Sequence, residues 1–357
     1  MGHRIVAINP GGGSTKVALY EDTNPIHEDK IRHPAEEISK FSSTLDQLEY
    51  RTKAIETLLA EWKVDTSSLS AVVGRGGPFK PLISGTYNVN DKMLEDIRKG
   101  RVAADHPSNL GALLAFEMAS DLGIPAFIVD PVSVDEFTEE SRISGLPEIK
   151  RRSLSHALNM KMVGRKAAAQ IGKSYEELNL IIAHLGTGIS IGAHRKGRQI
   201  DVNNANDGGP FSPQRTGYLP VTQLIKLSFS GSYDEKTLRK KVTKEGGLLA
   251  YLGSDDISPL YRKAEAGDEK VALVLRAMVA QIAKEIAAQS AVLDGQVDAI
   301  CLTGGMAYEP SLINDITKKI KFITENILVF PGEDELEALV LGALRVLTGE
   351  VEAMVYA

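Results

Sequence analysis

Short apolar runs recur along this chain, each separated from the next by a polar or glycine-bearing segment. Those at 5–8, 17–20, 69–73, 126–129, 180–183, 190–194, 299–302 and 327–330 have the length of strands. Between them, apolar residues spaced at three and four predict helices over 45–62, 109–122, 154–171, 271–293 and 336–347. Helices alternate with strands almost throughout, which predicts an α/β fold with helix-covered sheets. A chain of 357 residues is long enough for two domains with separate cores. The charged, proline-bearing stretch Leu146-Pro147-Glu148-Ile149-Lys150-Arg151-Arg152 sets the expected division, giving domains at 1–150 and 151–357. The helix near the C-terminus could pack back on the first of them.

Two of the predicted strands run directly into glycine loops. Ile5 to Ile8 is followed by Asn9-Pro10-Gly11-Gly12-Gly13-Ser14-Thr15-Lys16 and then by the alternating run from Val17. Leu180 to Ala183 is followed by His184-Leu185-Gly186-Thr187-Gly188-Ile189-Ser190 and another strand pattern. Without a Cβ, consecutive backbone N–H groups can converge on phosphate oxygens. Strand, glycine loop, strand, once in each half, therefore suggests a duplicated domain gripping one polyphosphate. Neither loop has the glycine and lysine spacing of a P-loop, and Gly11-x-Gly13-x-x-Lys16 lacks the last glycine of a dinucleotide fingerprint. Taken singly, each loop reads equally as a glycine hairpin with no ligand. A third glycine site, Thr303-Gly304-Gly305-Met306, ends the predicted strand at 299–302, where open α/β sheets bind ligands, and is a candidate for the nucleoside end. A turn needing backbone freedom is its plain alternative.

Charge and composition narrow the classes. A net charge of -6 with 6% aromatics argues against a nucleic-acid surface. No stretch approaches the roughly 20 apolar residues of a membrane span, and the N-terminus has no cleavable signal pattern. The single cysteine, Cys301, cannot form an internal disulfide, so a cytoplasmic location is expected.

A set of motifs in fixed order is more specific. Ile8-Asn9-Pro10-Gly11, Gly74-Arg75-Gly76-Gly77, Val129-Asp130-Pro131-Val132, Ser155-His156-Ala157-Leu158-Asn159, Asp201-Val202-Asn203-Asn204-Ala205, Gly209-Pro210-Phe211-Ser212-Pro213-Gln214-Arg215-Thr216-Gly217 and Leu302-Thr303-Gly304-Gly305 span nearly the whole chain. Together they resemble the acetokinase family of carboxylate kinases, within the acetate and sugar kinase, Hsp70 and actin superfamily, and among these the butyrate kinases. The resemblance implies two ribonuclease H-like, actin-like ATPase domains with ATP in the cleft between them. It also implies reversible transfer of the γ-phosphoryl group to a short carboxylate, giving an acyl phosphate and ADP. An acetate or propionate kinase, a sugar kinase, or a non-carboxylate ATPase of the same fold are the alternatives.

By the same resemblance, Asn9 with Gly11, Gly12, Gly13, Ser14, Thr15 and Lys16, and His184 with Gly186, Thr187 and Gly188, would hold the phosphates. Gly304, Gly305 and Met306 would meet the adenosine. His156 and Arg215 would contact the moving phosphoryl group, Asp130 would match an active-site aspartate, and Glu335 with Asp130 would serve Mg2+. Arg75 would orient the carboxylate, although acetate kinases carry that arginine earlier and a histidine before the Gly-Gly pair. Acetate kinases place a phenylalanine before the catalytic histidine; here Ser155 stands there, which implies a wider acyl pocket. A homo-oligomer is expected on the same ground.

A carboxylate is ionised at neutral pH, so no general base is needed. Fixed cations are needed, and arginine's planar fork pairs with carboxylate or phosphate without losing its charge. A sugar hydroxyl would call instead for a catalytic carboxylate base. Read without the family, His156 is an ordinary helix histidine, and Arg75 and Arg215 are solvated loop cations. The acidic run at 333–337 complements a helix dipole, and Asp130 starts a turn before Pro131.

Overall fold

Every residue of β1 (Arg4–Pro10) from Ile5 onward is buried, which requires layers on both faces of the strand. The computed structural model describes residues 2–357. β1 turns at Gly11 into antiparallel β2 (Ser14–Glu21), which pairs in turn with β3 (Asn24–Arg32). On its other side β1 runs parallel to β4 (Ala71–Arg75). The short β5 (Thr86–Asn88) lies antiparallel to β6 (Ala126–Val129), and β6 lies parallel to β4. A two-residue strand, Met354–Val355, closes the edge beside β5. Val6 and Ile8 point to a core shared with Ile55, Leu58 and Leu59 of α1 (Leu48–Glu61) and Leu110, Leu113 and Leu114 of α2 (Leu110–Ser120). The C-terminal helix Glu335–Leu347 packs on β1, β4 and β6. This first unit comprises the chain up to Asp135 together with Asp334–Ala357.

The second unit is Glu136–Glu333 and repeats the plan. β7 (Asn179–Leu185), β8 (Ile189–Arg195) and β9 (Arg198–Val202) form an antiparallel meander, and β10 (Ala299–Gly304) and β11 (Ile327–Pro331) continue in parallel from β7. Strand order 3-2-1-4 and onward therefore appears twice, the ribonuclease H-like arrangement. Leu180 to Ala183 of β7 form an unbroken apolar run because the two faces of the strand serve different cores. Leu180 and Ile182 meet Met160 and Val163 of α3 (Ala157–Ile171), while Ile181 and Ala183 meet Leu275, Met278 and Ile282 of α4 (Glu269–Val292). α5 (Pro310–Ile320) adds Leu312 and Ile316 to the latter core. The chain leaves the first unit at Asp135, earlier than the Leu146–Arg152 stretch chosen from composition, and returns to it at Asp334.

In the first unit β4 and α2 meet backbone to backbone. A Cβ on Gly74 would lie 2.0 Å from the Gly111 carbonyl oxygen, and one on Gly111 would lie 2.2 Å from that of Arg75. No side chain fits between the two elements.

Candidate active site

Parallel strands end on one edge of their sheet, and chain order decides which residues stand there. In the first unit Asn9 is near the end of β1, Arg75 ends β4 and Asp130 follows β6. The register sets Ile8 beside Gly74 and Arg75 beside Val129. The C-terminal helix begins at the same edge with Glu335, a buried carboxylate. Its Oε1 lies 2.5 Å from Arg75 Nη1, and its Oε2 accepts from Asn9 Nδ2 at 2.5 Å. Arg75 Nη1 also donates to Asn9 Oδ1 at 3.4 Å. Three expected site residues, distant in sequence, form one hydrogen-bonded group, so Glu335 does more than complement a helix dipole.

Asp130 adopts φ 36°, a left-handed conformation that a non-glycine residue keeps only when its surroundings enforce it. Its Oδ1 accepts from Ser84 Oγ (2.6 Å) and the Gly85 amide (2.8 Å). The turn reading of Asp130 is thus part of its structure.

The first glycine loop carries exposed Gly12 and Gly13 at its tip, and among the described residues no protein group accepts from their amides. Lys16 stands opposite Asn9 in the β1–β2 register. Thr15, expected at the phosphates, is fully buried, and its hydroxyl is engaged by Arg51 and His33.

In the second unit β7 and β8 are joined through Gly186, Thr187 and Gly188, whose amides likewise have no protein acceptor among the described residues. Ser212 ties this loop to the segment carrying Arg215: its hydroxyl donates to the Thr187 carbonyl (2.5 Å) and accepts from the Arg215 amide (3.1 Å). The Arg215 guanidinium is laid against Gly188, where a Cβ would stand 2.6 Å from Cζ. Half-buried, it makes no hydrogen bond or ion pair among the described residues, and burial alone pulls its pKa below the ordinary value. His184 is the last but one residue of β7 and His156 precedes α3, and their rings stack. His156 Nδ1 lies 3.0 Å from Ser190 Oγ, and His184 Nδ1 lies 2.8 Å from Asn159 Oδ1.

A family model for the acetokinase family matches residues 148–326, and butyrate kinase 1 of Clostridium acetobutylicum is 49% identical over 99% of this chain and 99% of its own. The chain belongs to the acetokinase family. Among solved structures, an acetate kinase of Porphyromonas gingivalis shares the fold at TM-score 0.77, with 19% identity over 97% of this chain and 99% of that one. A propionate kinase of Francisella tularensis does so at TM-score 0.74, with 19% identity over 95% and 98%. Both agree with the ribonuclease H-like strand order in each unit. The chain is accordingly a carboxylate kinase.

In this acetokinase the third glycine site separates into two environments. Gly304 (φ 91°) lies so close to Leu185 that a Cβ would stand 2.4 Å from its carbonyl oxygen, and Gly305 is open to solvent. Met306 is packed into the core of the second unit. Ser155 is also buried, and its hydroxyl donates to Gln199 Oε1 at 3.0 Å within an interior polar chain. Ser212, Asn159 and Ser190 were not singled out from sequence. Ser212 and Asn159 lie inside the motifs that carried the resemblance, but only the folded chain shows what their polar atoms hold. Among the described residues no helix is long and apolar enough to cross a membrane.

Proposed function

We propose that this acetokinase transfers the γ-phosphoryl group of ATP reversibly to butyrate or a related short or branched carboxylate. Direct in-line attack of the carboxylate gives butyryl phosphate and ADP. The observation that carries the reading is Arg215, a desolvated guanidinium fixed beside the Gly186–Gly188 loop, with no counter-ion to it and no acceptor for the loop amides among the described residues. A buried cation is costly unless an anion completes it, and a transferring phosphoryl group spreads negative charge over three equatorial oxygens. The high identity with butyrate kinase 1 supports the four-carbon substrate.

In this reading the amides of Gly12, Gly13, Gly186, Thr187 and Gly188 bind phosphate oxygens. Arg75 orients the carboxylate, for which it exchanges Glu335, and Arg215 and His156 hold the moving group. A magnesium ion would neutralise the triphosphate. No cluster of three or more potential metal ligands exists among the described residues, and both oxygens of Glu335 already accept from the protein. This donor set fits an ion carried by the nucleotide and met through water by Glu335 or Asp130, not a protein cage. A reducing cytoplasm agrees with a lone buried cysteine, Cys301, whose thiol is pushed up to about 12 by burial. The exposed apolar residues Val221, Ile225 and Phe229 are available for self-association.

Trapping acyl phosphate as the hydroxamate, from ATP, magnesium and a series from acetate to valerate including isobutyrate, tests the proposal. Product should peak at four carbons. No product with any acid of the series would overturn the reading, and a peak at acetate would overturn the butyrate assignment.

A further inference from the structure

Helix α1 turns one of its charges inward. Glu49 and Lys53 on the same helix are 81% and 69% exposed, whereas Arg51 is fully buried. It lies behind the first glycine loop. Nη1 donates to Thr15 Oγ1 (2.9 Å) and the Ser14 carbonyl (3.3 Å), and Nη2 donates to the Gly12 carbonyl (3.1 Å). Nε and Nη2 share Gln47 Oε1, which fixes the plane of the fork. The remaining carbonyl of the tip, that of Gly13, accepts from the His33 amide at 2.9 Å. Three consecutive carbonyls are therefore drawn toward the protein. In a planar trans peptide the carbonyl of one residue and the N–H of the next point in opposite directions, so holding the Gly12 carbonyl inward turns the Gly13 amide outward.

We propose that Arg51 is a positioning residue for the phosphates of the nucleotide: from behind the loop it locks the Gly13 amide into its outward-facing form and supplies a positive charge that an anion on the opposite side completes. The inference rests on the ATP-dependent reading above.

The charge argument has its own support. No ion pair to Arg51 exists among the described residues, and burial lowers the guanidinium pKa. The side chains bonded to it, Thr15 and Gln47, carry no charge, and the nearby His33 has its imidazole pulled down to about 4 by burial and by Arg51 itself. A packing role alone would be met by an apolar side chain; this position instead holds a five-donor fork matched to loop oxygens.

The test is calorimetric titration of the full-length protein with ATP, comparing wild type, Arg51→Met and Arg51→Lys, alongside steady-state kinetics, melting and NMR titration of His33. Arg51→Met should weaken ATP binding by about 10-fold or more, as loss of charged hydrogen bonds implies. KM for the carboxylate should stay within about twofold, and the His33 pKa should rise from about 4 toward its ordinary range. Arg51→Lys, which keeps the charge and loses the fork, should recover part of the affinity. Unchanged ATP affinity in folded Arg51→Met overturns the proposal. So does parallel loss of ATP affinity, carboxylate KM and melting temperature with no recovery by lysine, the pattern of a structural residue. If the methionine variant does not fold, lysine decides alone: ATP binding weakened by about threefold or more supports the proposal, and wild-type affinity overturns it. Wild-type protein that binds no ATP overturns both readings. ATP binding without acyl phosphate sinks only the carboxylate reading and leaves the Arg51 comparison valid.

Discussion

The imidazole of His156 lies flat on that of His184, with ring centroids 3.8 Å apart and planes 9° from parallel. The stack joins the end of one strand to the start of a helix, and each ring keeps a polar partner at its Nδ1. Asn159 donates through Nδ2 to the Glu333 carbonyl, which leaves its Oδ1 to accept from His184 Nδ1. His184 is thereby held in one orientation and serves as a fixed floor for His156, whose own Nδ1 is beside Ser190.

The two rings should consequently fail in different ways. His156→Ala should lower kcat by about 10²- to 10³-fold, as loss of a transition-state donor does, with the melting temperature nearly unchanged. His184→Ala leaves buried Asn159 without its partner and should cost about 1–3 kcal/mol of stability. Melting and kcat measured on both variants separate the roles; a destabilised His156→Ala with full activity per folded molecule would make His156 structural.

Arg215 should trade stability for rate. Arg215→Ala removes a desolvated cation whose guanidinium has no hydrogen-bond or ion-pair partner among the described residues, so the melting temperature should hold or rise while kcat falls at least about 10²-fold and ATP affinity changes little. Arg215→Lys should rescue only in part. A normal kcat in the alanine variant would show that Arg215 takes no part in phosphoryl transfer.

Gly188→Ala asks the same question without touching the arginine. The added Cβ would meet the far end of the Arg215 side chain, which can swing aside. The variant should fold normally and lose activity, whereas Gly74→Ala, facing a backbone carbonyl, should lose stability. Equal activity of Gly188→Ala and wild type would show that the guanidinium does not work from its position against the loop.

Acid should weaken the fold before carboxylates are protonated. His33 is lowered from 6.5 to about 4, and His194 is lowered well below 6.5, both chiefly by burial. In that window the unfolded chain binds protons that the folded chain refuses, so stability is complete above about pH 6.5 and declines as pH falls toward about pH 4. Thermal melts across this range should show the decline, and His33→Gln should make it shallower while leaving the share of His194. A flat profile in the wild type would mean that His33 and His194 protonate without penalty.

The parts of the fold that could be read from sequence were those whose side chains face a core. β1, β7 and β10 are apolar on both faces and leave a plain signal, whereas β3 is largely exposed and polar, held to β2 by backbone pairing that leaves no mark in residue type. Candidate site residues at strand ends were legible because glycines and motifs flag them. Arg51 was not, because within the pattern of α1 it resembles the solvent-facing Lys53; only tertiary packing reveals that it faces inward. Thr15 shows the converse, a loop hydroxyl that looks available and is committed to the interior.

The glycine contact between β4 and α2 bears on how this protein can change. Where two elements are separated by side chains, a substitution in the core alters their spacing and shifts whatever they carry. Here Gly74 and Gly111 set the separation by atomic radii, so the backbone of Arg75 rests on a hard stop. Core residues such as Val72 or Leu113 can vary in size over generations while the height of Arg75 above the helix stays the same. The tolerance of the core to drift is obtained by making two positions nearly intolerant of any.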